Sequence, residues 1–138
     1  MDQAEFTLHD VSAFPIVRLR SQGLPAGYTR TWVAELEALL QHGTPFALIF
    51  LDTIEDEAHE DRKTRMQWLK VNEAALAALC RGIISVDPNT ARRLARRAQA
   101  ALVSQAFGLR LAVTADRREA EGLARRLLAG EVPPHTDE

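Results

Sequence analysis

Two groups of charged residues in this chain have types and spacings that chemistry requires. Asp52 ends the apolar run Phe46 to Leu51 and is followed by Glu55, Asp56, Glu57, His59, Glu60 and Asp61. Carboxylates converge at the carboxyl ends of strands in open α/β sheets, so this stretch invites comparison with a phosphoacceptor or a magnesium site at Asp52. A receiver-type site would also need an acidic pair after the first strand and a lysine after the last. The chain has Ser21-Gln22-Gly23 and Ala115-Asp116-Arg117 there. The acids therefore read first as solvated charge that pairs with nearby arginines.

The second group is Arg92, Arg93, Arg96 and Arg97, four guanidinium groups on an arc of about 140° of one helix whose opposite face is apolar. Positive charge in the first two helical turns opposes the helix dipole, so something anionic should lie close by. The acidic stretch Glu55 to Asp61, at the same end of a parallel sheet, is the plain candidate. An acidic protein partner and a small anionic or lipid ligand are the others. Nucleic acid fits poorly, because no aromatic residues interleave the arginines and the net charge is −2.

Other catalytic patterns are not visible. His9, His42, His59 and His135 lack the spacing of a metal pair and have no serine or cysteine partner in view. The seven glycines form neither Gly-x-Gly nor a phosphate loop, so no cofactor is implied. Cys80 is the single cysteine and reads as a small buried hydrophobe on a helix face. Asn72, set among Leu69, Leu76 and Leu79, is a buried amide in need of partners, and Tyr28 and Trp32 read as core.

The elements that must position these residues follow from hydrophobic period. Phe46 to Leu51, Gly82 to Val86 and Leu109 to Thr114 are short apolar runs, each followed by a helical pattern, the rhythm of βαβ units and a parallel sheet. The first run lacks polar alternation, as a central strand covered on both faces would. Glu5 to His9 and Phe14 to Leu19 read as an N-terminal hairpin at the sheet edge. Four helices are predicted: Tyr28 to Gln41, stopped by Gly43; Asp61 to Arg81; Thr90 to Phe107, stopped by Gly108; and a last one from its cap Asp116 to about Ala129. On the third, Ala91, Leu94, Ala95, Ala98 and Leu102 are expected to face inward.

A length of 138 residues, 46% of them hydrophobic, suits one domain over residues 1–130, with a flexible tail over 131–138. No run approaches the roughly 20 apolar residues of a membrane span, and the start lacks signal-peptide order, so a cytoplasmic location is expected. Residues 1–61 carry 11 acidic and 3 basic side chains, and residues 62–138 carry 8 and 14. Such asymmetry either neutralises across the fold or marks faces for different partners.

Taken in order, two strands followed by alternating helix and strand resemble the STAS domain and the wider SpoIIAA-like fold over about Phe6 to Leu128. Leu51-Asp52 looks like the end of the family's apolar strand, and Asp116 with Glu119-Ala120 looks like the opening of its last helix. Regulatory members carry an Asp-Ser-Gly-like phosphorylation site after that strand. Here the stretch reads Thr53-Ile54-Glu55-Asp56-Glu57, and the nearby Thr64 reads as a solvated first-turn threonine. The resemblance implies a non-catalytic module that binds proteins, or sometimes small or lipid ligands. The expected contact surface comprises Asp52, Arg62, Arg65, Arg92, Arg93, Arg96 and Arg97.

Overall fold

A computed structural model describes residues 2–20, 24–52 and 57–131. Thr53 to Asp56, Ser21 to Gly23 and the tail beyond Glu131, on which several sequence expectations fall, lie outside the described residues. Five strands form one mixed sheet in chain order: β1 (His9–Asp10), β2 (Ile16–Leu19), β3 (Phe46–Phe50), β4 (Cys80–Val86) and β5 (Leu111–Thr114). The β1–β2 pair is an antiparallel hairpin as expected, but its first strand is His9–Asp10 rather than Glu5 to His9, since Gln3–Glu5 forms a 3-10 helix; the other pairs are parallel. β3 lies at the centre.

The period of two sorts strand side chains onto two cores. Val17, Leu19, Phe46 and Leu48 meet Trp32, Leu36 and Leu39 of α1 (Thr29–His42), Trp68 of α2 (His59–Val71) and Leu76 of α3 (Glu73–Leu79). Their neighbours Ile16, Ala47, Ile49, Ile84 and Val86 meet Ala120, Leu123, Ala124 and Leu127 of α5 (Arg117–Leu128). β3 is thus covered on both faces. Arg18 points to the α5 side, where its Nε donates to Glu121 Oε1 at 2.8 Å.

The helix expected from Asp61 to Arg81 is two helices, giving five α-helices among the described residues rather than four. Asn72 breaks it: its backbone N–H and its side-chain Nδ2 both donate to the Trp68 carbonyl, each at 3.0 Å, so one residue satisfies the end of α2 and turns the chain into α3. The turn leaves Trp68 packed edge-to-face on Trp32, centroids 5.5 Å apart. Cys80 is the first residue of β4, not a helix residue. Burial pushes its thiol up to about 12, which leaves it inert at neutral pH.

Before the sheet begins, Glu35 of α1 gathers the incoming chain. Its buried carboxylate accepts from the backbone N–H groups of Thr7 (2.7 Å), Leu8 (3.2 Å) and His9 (2.9 Å), and lies 2.8 Å from His9 Nδ1. Burial alone would raise its pKa, but the bonds from His9 and the three amides outweigh it and hold Glu35 at about 2.

Two predictions follow from this packing. A Cβ on Gly82 would stand 2.7 Å from Leu127 Cδ1, so Gly82→Val should lower stability by about 1–3 kcal/mol in urea melts, with α5 displaced. Because the folded pKa of Glu35 lies below its ordinary 4.5, the stability it contributes is complete above about pH 4.5 and is lost as pH falls towards 2. Glu35→Gln should be less stable at pH 7 and show a flatter decline across that window than wild type, measured by thermal unfolding.

Candidate functional site

Parallel pairing brings the carboxyl ends of β2 to β5 to one end of the molecule. Asp52, half-buried, stands just beyond β3. At the end of β4 stands Asp87, which is wholly buried. Its backbone N–H continues the ladder to the Thr114 carbonyl at 2.9 Å, and its Oδ1 accepts from Asn89 N at 3.1 Å, closing the turn through Pro88. Asn89 caps α4 (Thr90–Phe107), its side chain accepting from Arg92 N at 2.8 Å.

The arginines of α4 close over this carboxylate. Arg92 Nε donates to Asp87 Oδ2 at 2.7 Å, and Arg96 Nε lies 3.0 Å from the same oxygen as an ion pair without hydrogen-bond alignment. Arg93 donates to the Asp87 carbonyl at 3.0 Å, and Arg97 Nε to the Val113 carbonyl at 3.0 Å. The bond from Arg92 is the main reason the Asp87 carboxyl sits below its ordinary range. The arginine arc thus meets the Asp87 carboxylate, while Glu55 and Asp56 of the acidic stretch lie outside the described residues.

Two of the three described acids of that stretch serve a different corner. Asp61 accepts from Gly27 N (2.8 Å) and Thr29 Oγ1 (2.8 Å), capping the start of α1 from a neighbouring helix. Glu57 takes a two-point bond from Arg65, at 3.2 and 3.0 Å, and a bond from the Tyr28 hydroxyl. Burial and then Glu57 hold the Tyr28 hydroxyl above its ordinary pKa. Arg62 is exposed on α2, and Thr64 lines an open groove of about 470 Å³ with Gly27, Arg30, Val33, Glu60 and Asp61. A second groove, of about 490 Å³, runs along α5 between Glu119 and Glu131. Neither groove is lined by the arginines of α4. Among the described residues, no group of three or more His, Cys, Asp or Glu could hold a metal ion.

Arg93, Arg96, Arg97, Ala100, Val103 and Ser104 turn towards the body of the protein, while Ala91, Leu94, Ala95, Ala98 and Leu102 are exposed. This reverses the orientation expected from the amphipathic pattern. The cause is what α4 packs on. β5 is an edge strand: Arg110 and Thr114 turn their carbonyls to β4, so Leu111 and Val113 present their backbone groups outward. α4 lies along that edge, where Ser104 Oγ accepts from Leu111 N (3.0 Å) and Arg97 reaches the Val113 carbonyl. Strand-edge amides and a buried carboxylate want polar partners, so the polar side of α4 faces in. Leu94 and Leu102 are left 56% and 69% exposed.

No family model, curated protein or solved structure matches this chain. The site has to be read from its own geometry. Asp87 has its carboxylate oxygens engaged by two guanidinium groups and an amide, an arrangement suited to holding a helix rather than to attacking a substrate. Asp87, followed by Pro88 and Asn89, has the local composition of a turn, although arginines five and nine positions on are a usable signal. The contact between His9 and Glu35, 26 residues apart, had no local signature.

Asp87→Ala should cost about 3–5 kcal/mol, since it leaves the guanidinium groups of α4 facing inward without their anion. Arg92→Ala, whose side chain is half exposed, should cost about 1 kcal/mol or less. Urea melts of the two variants check the difference.

Proposed function

We propose that this chain is a non-catalytic cytoplasmic protein-interaction module of the SpoIIAA-like (STAS-like) type, and that its contact surface is the outward face of α4. The observation that carries the reading is the apolar stripe on an 18-residue helix whose Arg93, Arg96 and Arg97 are turned inward. Large apolar side chains exposed together on one element are unusual on a protein that works alone and mark interaction sites. The element order supports the family assignment: an N-terminal hairpin, then strands added in chain order with helices between them. Winding in a single direction also favours a binding role. Ligand crevices in open α/β sheets form where the strand order reverses, and this order does not reverse among the described strands.

Binding of a small anionic or lipid ligand at the arginines has weaker support, because Asp87 and two backbone carbonyls already engage those side chains. The reading moves the expected contact from charge to apolar area, so partner binding should persist in high salt. A photo-crosslinking residue in place of Ala98 should trap a discrete protein species in cell extract, whereas the same probe at exposed Glu37 of α1 should not. Equal or absent trapping at both positions would contradict the reading.

A further inference from the structure

We propose that α4 is a displaceable cover, which lifts off the β5 edge as a unit while the rest of the fold stays in place. None of its described side chains is buried, and none belongs to either hydrophobic core. Each of the other α-helices buries at least one residue. The contacts described for α4 are polar: Arg92 and Arg96 on the Asp87 carboxylate, Arg93 on the Asp87 carbonyl, Arg97 on the Val113 carbonyl and Ser104 on the Leu111 amide. Pulling apolar surface out of a core costs free energy in proportion to its area. A polar contact that opens is instead replaced by water, and the same opening lets water reach Asp87, so its charge is not left dry. An element fastened in this way opens locally at a lower cost than the core it rests on.

The sequence and the connections of α4 suit this motion. Six alanines and four arginines among its 18 residues, a side-chain cap at Asn89 and a left-handed stop at Gly108 make its helicity less dependent on packing than that of most helices. On either side the chain is fixed, with Val86 buried in one core and Leu109 in the other. The moving unit therefore runs from Pro88 to Gly108. What it uncovers is the outer edge of β5, where the Leu111 N–H is bonded to Ser104 and the Val113 carbonyl to Arg97. Those two side chains stand where the backbone of a sixth strand would run. Lifting α4 thus turns a covered sheet edge into an open one, whose free groups pair with extended backbone. The proposal needs Arg93, Arg96 and Arg97 inward and holds whatever binds the outward face.

Amide hydrogen exchange of the purified chain, followed residue by residue by NMR at urea concentrations below unfolding, tests this. Amides from Arg96 to Ser104 should exchange through an opening populated at least about tenfold more than the one that exposes β3 and β4, and little changed by urea because it uncovers little apolar surface. Ile84→Val, a small loss in the core between β4 and α5, should raise exchange in β3 and β4 several-fold and leave α4 unchanged. Arg92→Gln together with Arg96→Gln should raise α4 exchange about tenfold or more while circular dichroism stays that of a folded chain. α4 amides that share the opening and the urea dependence of β3, or that follow β3 in Ile84→Val, overturn the proposal, because α4 then comes off only when the whole chain unfolds. That comparison decides whether or not the double arginine variant folds. A folded double variant with unchanged α4 exchange overturns the polar fastening, and with it the cover.

Discussion

A carboxylate buried at the end of the fourth strand organises the half of this molecule built from β4, α4 and β5. Asp87 is charged and out of water, and a charge in that position must be met by opposite charge and hydrogen bonds. Arg92 and Arg96 supply them from the next helix. The same helix also covers the open edge of β5, whose outward amides need polar partners of their own. Both demands draw on one side of α4. Once it is committed inward, the remaining side, of alanine and leucine, has only the outside to face.

The other two solutions to buried charge keep to the opposite flank. Glu35 ties the entering chain to α1, and Asp61 caps α1 from α2, the pKa of Glu35 held below the ordinary range by His9 and three backbone amides and that of Asp61 by the Gly27 amide and Thr29. These carboxylates act as local scaffolding, and the chain uses most of its described buried acids in that way. Chemistry of the kind that Asp52 and its acidic neighbours suggested would need carboxylates with oxygens to spare. Of the described acids near it, Glu57 and Asp61 are engaged with α1 and α2, and Glu60 is exposed at an open groove.

What could be read from the sequence was what is decided locally. The strand–helix rhythm, the two-faced β3, the N-terminal hairpin, the glycine stops at Gly43 and Gly108 and the Asp116 cap are set by a few adjacent residues, and each is found in place. The break at Asn72 was not legible, because it turns on an amide choosing the Trp68 carbonyl over continued helix. Nor was the orientation of α4. A 3.6-residue period says that a helix has two faces; it says which one is inside only when the interior is apolar. Against a strand edge and a buried carboxylate the usual inference reverses, and the arginines of α4 fasten it to Asp87 and β5.

That reversal is tested most directly at two adjacent residues of α4 that point in opposite directions. Leu102→Glu and Val103→Glu would be compared by urea unfolding at low micromolar concentration. With the arginine face inward, Leu102→Glu changes stability by less than about 0.5 kcal/mol, whereas Val103→Glu, placing a charge beside β5, loses about 1–3 kcal/mol. A large loss for Leu102→Glu with little change for Val103→Glu would show the apolar face to be the buried one, and the interaction surface drawn on it would not exist.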